Sequence, residues 1–373
     1  MSTQLATLEM FRNLLQLAVE NGASDIHIKS GKPAYLRLNG HLEPIEMDPL
    51  TQDEIINFIE ATVPAQVISG WLKDGQVDYC YSLDDIGLGR FRINGFNQRG
   101  TPSIVIRHVK DSPPSFEDLQ HDAASLKKLC NFKDGILLIC GPTGCGKSST
   151  LAAMLNYINH TYDKHIVTLA DPIEYNYTDD LCIFSQREVG IDAASFELGL
   201  KAVLRQDPDI ILIGEMRDQE TFKTALRAAE TGHFVLGTLH SSNVRQAIQR
   251  LFEFFEGEEQ HHMRRQIAST LRAIVAQSLI PCQKKGVGRV PAVEMLVVDA
   301  VSADIIEKGD YFKIPQLLES YTETGSKSFN MDLQRLIENG LISKQDALTF
   351  SPNPKALEMN LKGIYLSKGG IVK

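Results

Sequence analysis

Apolar residues recur at helical spacing near the start of the chain. Phe11, Leu14, Leu15 and Ala18 fall on one face of a predicted helix, and Asn21-Gly22 supplies its stop. The pattern then shifts toward strands. Asp25–Lys29 and residues 34–38 read as strands, with Asn39-Gly40 as a hairpin signal. A helix is predicted over 53–60. Strands follow over 77–83, Arg90–Gln98 and 102–108, with a turn at Asp84-Asp85-Ile86-Gly87. Residues 1–110 therefore form a small α+β unit. Asp111-Ser112-Pro113-Pro114-Ser115 interrupts it, because tandem prolines lack donors and continue neither a helix nor a central strand. Residues 111–116 are the predicted linker.

Beyond the linker, over 117–373, strands alternate with helices, the signature of a mostly parallel sheet covered on both faces. The fold class is α/β, with short helices after about residue 300 that include 331–339 and 343–348. Four apolar strands, Gly135–Cys140, His165–Ala170, 210–214 and 233–239, each end in polar chemistry. In an open parallel sheet, ligands sit beyond those carboxyl ends. The first strand delivers Gly141-Pro142-Thr143-Gly144-Cys145-Gly146-Lys147-Ser148 and then Ser149, at the start of a helix-like segment. Glycines let such a loop curl its N–H groups onto phosphate oxygens, and the helix N-terminus adds partial positive charge. Lys147 is placed to reach β- and γ-phosphates, and the Ser148 hydroxyl to ligate Mg²⁺.

The other three strand ends supply acids and an imidazole. Asp171-Pro172-Ile173-Glu174 follows the second, Glu215 the third, and His240 the fourth. Glu215 suits the role of holding Mg²⁺ through water or orienting the attacking water; otherwise it is an acid capping the next segment. Asp-Pro is also an ordinary turn signal, and His233 reads equally well as a satisfied core histidine. His240 is expected to sense the γ-phosphate. In the first unit, Arg90 and Arg92 share a strand face, and Arg99 and Arg107 follow. A guanidinium from outside a phosphoryl-transfer site can stabilise its charge, so these four are candidates to act in trans across a ring, or else exposed strand residues without a ligand.

Bulk properties narrow the class. The 373 residues carry a formal charge of −9, which disfavours extended nucleic-acid binding; Arg264-Arg265 and Lys284-Lys285 with Arg289 read as a solvated helix face and hairpin turn. The chain shows no secretory signal and no apolar run near ~18–20 residues, so a cytosolic protein is expected. Six cysteines are scattered without a C-x-x-C pair, against a zinc knuckle or disulfide framework. Cys145 reads as a small loop residue rather than a redox switch.

Together these motifs resemble the secretion and type IV pilus ATPases, specifically the PilT and PilU retraction branch. The boxes carrying the resemblance are Ser24-Asp25-Ile26-His27, residues 89–100, 141–148, 171–174, 207–218 and 229–240. The resemblance implies a PAS-like N-terminal domain and a RecA-like ATPase domain, using ATP and Mg²⁺ in a hexameric ring. It implies nucleotide binding between the domains, with first-domain arginines completing the site. It further implies a cytoplasmic protein at the inner face of the membrane that drives pilus disassembly through a PilC-type platform protein, alone or with a PilT paralogue. Two departures stand out. Ala170 replaces the first acid of the acidic box, and Ser302 and Ile306 replace both arginines of the C-terminal retraction motif. The missing acid opens a second expectation, a nucleotide-binding subunit that regulates a partner motor with little turnover. The C-terminal segment looks more like PilU. A DNA-translocating ring is disfavoured by charge.

Overall fold

The computed structural model describes residues 2–38, 40–109, 112–320 and 324–363. Asn39 of the predicted hairpin turn and Asp111 of the predicted linker lie outside them. Two sheets and their helices make up two units. The first comprises Met1–Ser112 together with Asp171–Tyr177 and Glu188–Ala194, and the second takes the remainder.

In the first unit, β1 (Asp25–Lys29), β2 (Tyr35–Leu38), β3 (His41–Pro44), β4 (Gln76–Ser82), β5 (Arg90–Gln98) and β6 (Thr101–Val109) form one sheet. Its order is β3-β2-β1-β6-β5-β4, and every neighbouring pair is antiparallel. Alternation buries one face: Ile26, Ile28, Phe91, Ile93, Ile104 and Ile106 are all in the core. The helices Ser2–Glu20 and Gln52–Thr62 cover it, joined by Phe11 and Phe58, whose rings stack with centroids 3.9 Å apart. A capping box between Thr51 and Glu54 starts the second of these helices. Two elements lack a sequence signal. All four residues of β3 are exposed, so it shows no apolar alternation. The helix Ile68–Asp74 has seven residues and one buried anchor, Trp71.

The second unit holds β7 (Gly135–Cys140), β8 (His165–Ala170), β9 (Ile183–Glu188, whose last residue counts with the first unit), β10 (Ile210–Ile213), β11 (Phe234–Leu239), β12 (Leu271–Pro281) and β13 (Arg289–Val297). Their order is β13-β12-β7-β11-β10-β8-β9. The run from β8 through β10, β11 and β7 to β12 is parallel, and β13 returns antiparallel to β12. All six residues of β7 and of β11 are buried, as central strands covered on both faces require. The long β12–β13 hairpin is the feature that simple strand–helix alternation does not announce. Lys284 and Lys285 lie exposed in its turn and Arg289 opens its second strand, matching the solvated-turn expectation. Arg265 is exposed on the helix Gly257–Thr270, whereas Arg264 is drawn over the Phe252 ring at 5.1 Å.

Short helices finish the unit: Ala300–Lys308, Ile314–Ser320, Phe329–Glu338, Lys344–Phe350 and Pro354–Leu361. Ser302 and Ile306 are both fully buried, and Ser302 closes a capping box with Asp299. These positions are interior here, where an unpaired guanidinium would carry a large desolvation cost. Among the described residues, no helix is long and apolar enough to cross a membrane.

The C-terminal helices are pinned by a buried charge cluster. The Asp332 side chain is fully buried and accepts from Lys327 Nζ at 2.8 Å, Arg335 Nε at 2.7 Å and the Val293 backbone N–H at 2.9 Å. Lys327 also reaches Asp122 at 3.1 Å. Burial alone would raise the Asp122 carboxyl, but the Ser125 hydrogen bond and the Lys327 charge hold it at about 2. A depressed carboxyl stabilises the fold above its unfolded value of 3.8, and that contribution is lost as pH falls through about 2. Asp332→Ala is expected to lower the unfolding free energy by about 3–5 kcal/mol, since it strands buried cations and an N–H. Lys327→Met is expected to flatten the loss of stability between pH 4 and 2. Denaturant unfolding across that range checks both; wild-type stability in Asp332→Ala would contradict the cluster's role.

Candidate functional site

The buried strand β7 runs directly into the predicted phosphate loop, and the helix Lys147–Asn159 leaves it. Two glycines of that loop are dictated by β12 beside it. Gly141 has φ +150°, and a Cβ there would sit 2.5 Å from the Gln277 carbonyl oxygen. Gly146 has φ +89°, and a Cβ there would sit 3.0 Å from Gln277 Nε2. Lys147 is buried, and its Nζ donates to the carbonyls of Gly141 at 2.8 Å and Pro142 at 3.1 Å. Pro142, Thr143 and Gly144 form the exposed crest, and Ser148 and Ser149 are half-buried in the first helical turn. Burial pushes the Cys145 thiol up, so it stays protonated and suits the small-residue reading.

Glu215 and His240 are brought together from the ends of neighbouring strands. Glu215 lies just beyond β10 and His240 just beyond β11, and β10 and β11 pair in parallel register. His240 Nε2 is 3.2 Å from Glu215 Oε1, while Arg217 binds Glu215 Oε2 at 2.7 Å. Burial would raise the Glu215 carboxyl; the Arg217 hydrogen bond and charge, with His240, outweigh it and hold it below the usual range. The connection is braced by backbone, with Met216 N–H donating to Thr238 O at 3.1 Å and Thr238 Oγ1 to Gly214 O at 2.6 Å. A cleft of about 440 Å³ has Pro142 of the loop and His240 on its wall, with Ser241, Ser242, Gln246 and Arg250 completing that side. Ala170, at the end of β8, lies close to Gly214: a Cβ on the glycine would be 3.3 Å from its Cα.

The remaining predicted residues belong to the first unit. Asp171 and Glu174 are exposed, and the segment between them is fixed by the Ile173 N–H donating to Glu188 Oε2 at 3.3 Å. Arg90 pairs with that same Glu188 at 2.7 Å. Burial pushes the Glu188 carboxyl up, and the Arg90 charge only partly offsets it. Arg92 binds Asp78 through two nitrogens, at 2.6 and 3.1 Å. Arg107 pairs with Asp25 at 2.8 Å, so the Ser24-Asp25-Ile26-His27 box anchors one of the arginines. Arg99 is exposed in the β5–β6 turn with φ +51°. Arg90 and Arg92 do flank the buried Phe91 on one strand face.

Four further residues shape the site. Arg217 holds Glu215, and its signal is its place two positions later in the same box. Gln277, Thr150 and His121 form a buried polar chain behind the loop. The signal for Gln277 is one amide inside the apolar run of β12; His121 and Thr150 carry none, because they meet across 29 residues of sequence.

Comparison with known proteins identifies the family. The family described as Type II/IV secretion system protein matches residues 3–328. The chain is 37% identical over 352 residues to the type IV pilus ATPase PilU of Pseudomonas aeruginosa, covering 94% of this chain and 91% of that protein. It is 35% identical to the type IV pilus retraction ATPase PilT of the same organism, covering 90% and 96%. Among solved structures, the pilus retraction motor PilT with bound ADP superposes with TM-score 0.84 at 38% identity, covering 92% of this chain and 98% of that one. The Legionella pneumophila ATPase DotB gives TM-score 0.79 at 28% identity, covering 96% of each chain. The strand-to-loop-to-helix cradle, the acid beyond β10 and the histidine beyond β11 thus sit in a chain that belongs to the type II/IV secretion protein family, in its PilT/PilU group of ATPases.

Proposed function

We propose that this chain is the subunit of a homo-oligomeric ring, a hexamer, that hydrolyses ATP to power type IV pilus retraction. The carrying observation is the pairing, inside one unit, of the loop bearing Lys147 with the Glu215–His240 contact at the adjacent strand ends. In this reading the backbone from Gly141 to Ser149 cradles the phosphates, and the Lys147 ammonium leaves its two carbonyl partners for phosphate oxygens. The attacking water is oriented by Glu215, which the Arg217 contact keeps ionised. The imidazole of His240, hydrogen-bonded to Glu215, reports the state of the γ-phosphate. Asp171 and Glu174 supply further acid. Arg90, Arg92, Arg99 and Arg107 are the candidates for completing a neighbour's site; Arg90, Arg92 and Arg107 must exchange a carboxylate partner to do so.

The donor set suits Mg²⁺. Ser148 offers a hydroxyl in the first helical turn and Glu215 an ionised carboxylate, and Mg²⁺ asks for only one or two protein oxygens beside phosphate and water. When bound, the ion neutralises charge developing on the phosphates. We place the ring in the cytoplasm against the inner membrane, with a PilC-type platform protein as its partner, a PilT paralogue as a second and no nucleic acid. A PilU-like role is favoured by the C-terminal segment. Ala170 supports a second reading, a nucleotide-binding subunit that regulates a partner motor with little hydrolysis. Tight nucleotide binding with background turnover, unrelieved by Ala170→Glu or by partner protein, would select it.

Wild-type protein with Mg²⁺ is expected to release phosphate from ATP, and Lys147→Ala to reduce this to background. Glu215→Gln is expected to lower kcat by about 10²–10³ while nucleotide still binds. Equal turnover in wild type and Lys147→Ala would refute the site. A second outcome follows from the Arg217 contact. Because Glu215 is held below its ordinary range, the acid limb of kcat should lie low in wild type and move to higher pH in Arg217→Gln. An unmoved limb in a pH–rate profile would show that Glu215 is not the group being read.

A further inference from the structure

Two loop glycines are crowded by Gln277 of β12, Gly141 by its backbone carbonyl and Gly146 by its side-chain amide, and Gln277 is 2% exposed. Its Nε2 donates to the Cys145 carbonyl at 2.6 Å. Its Oε1 accepts from Thr150 Oγ1 at 2.8 Å, and that hydroxyl also lies 3.1 Å from the Gly146 carbonyl. His121 Nε2 is 2.9 Å from the same hydroxyl. Keeping the shorter of the two Thr150 contacts, the one to Gln277, sets the protons of the chain. Both the glutamine oxygen and the backbone carbonyl accept only, so the single Thr150 proton points to one of them. His121 Nε2 must then carry a proton and donate it to Thr150. Burial holds the His121 ring down at about 4, so it is neutral, and the Thr150 contact is what assigns its one proton to Nε2. The result is a directed chain, from His121 N–H to the Thr150 hydroxyl, to the Gln277 amide, to the Cys145 carbonyl.

A trans peptide sends its C=O and N–H in opposite directions. Drawing the Cys145 carbonyl toward β12 therefore turns the Gly146 N–H away from β12. Resting on the nucleotide reading above, we propose that Gln277 is a positioning residue for the polyphosphate: it locks the Cys145–Gly146 peptide so that the Gly146 N–H is presented to a phosphate oxygen, with Thr150 and His121 fixing the amide in turn. Gln277 touches no ligand in this account. It acts through the peptide plane, which gives a reason for a buried amide following the apolar residues 273–276 of β12.

The experiment titrates purified full-length protein with Mg²⁺ and a fluorescent ADP or a non-hydrolysable ATP analogue, alongside steady-state hydrolysis and thermal unfolding without nucleotide. Gln277→Leu is expected to weaken binding and raise KM by about 10-fold, the worth of one oriented hydrogen bond to a charged group, while kcat at saturation changes by less than about 3-fold. Gln277→Glu is expected to lose more, because its oxygens face the Cys145 carbonyl. Thr150→Val is expected to weaken binding in the same direction, and the double variant Thr150→Val with Gln277→Leu to bind no more weakly than Gln277→Leu alone. Should Gln277→Leu fail to fold, Gln277→Glu and Thr150→Val decide. Lys147→Ala separates the two levels. If it loses binding while the Gln277 and Thr150 variants bind like wild type, or if these lose kcat and stability with KM unchanged, the positioning role is overturned and the nucleotide site stands. If Lys147→Ala itself binds like wild type, the nucleotide site falls.

Discussion

Turning several backbone N–H groups toward one anion forces the carbonyls of the same peptides to face the protein, and each buried carbonyl needs a donor. In the proposed function, that constraint falls on the loop after β7. The loop after β7 meets it with Gln277, which donates to the Cys145 carbonyl at 2.6 Å, while the Lys147 ammonium rests on the carbonyls of Gly141 and Pro142 until phosphate replaces them. The sheet order follows the same need. With β12 beside β7, an amide on β12 is within reach of the loop that β7 delivers. On the other side of β7, strands β11 and β10 carry His240 and Glu215 to the same end of the sheet.

Much of this was legible in the residues. The apolar runs Gly135–Cys140 and His165–Ala170 are strands with those limits, and so are Asp25–Lys29 and Arg90–Gln98. Central strands buried on both faces read as continuous apolar runs, and half-buried ones alternate, so the sequence states their environment directly. The helices 331–339 and 343–348 appear as Phe329–Glu338 and Lys344–Phe350, displaced by a residue or two at their frayed ends. The parts that were silent are those defined by distant partners. β3 has no buried residue and the helix Ile68–Asp74 has one, while between β12 and β13 the basic residues marked the hairpin turn but not the length of its strands. Polar side chains follow the same rule. Glu215 and His240 are marked by the strands they end, whereas their contact at 3.2 Å and the pairing of Glu215 with Arg217 at 2.7 Å are visible only in the structure.

The arginines and acids illustrate how pairing changes a sequence-level candidate. Alternation correctly places Arg90 and Arg92 on one face, yet each is already engaged, Arg90 with Glu188 and Arg92 with Asp78. The Arg90–Glu188 pair also holds the Ile173 N–H, so one carboxylate ties the β5 arginine to the segment that carries Asp171 and Glu174. The two departures from the family boxes sit in different surroundings. Ser302 and Ile306 are buried in the helix Ala300–Lys308, and Ala170 is half-buried at the end of β8, its backbone close to Gly214.

A crystal structure of the protein with Mg²⁺ and a non-hydrolysable ATP analogue tests the account most directly. The triphosphate should lie along residues 141–148, with Lys147 Nζ moved from the Gly141 and Pro142 carbonyls onto phosphate and the Gln277–Cys145 hydrogen bond unchanged. Nucleotide lodged elsewhere, with the lysine still on its two carbonyls, would contradict it.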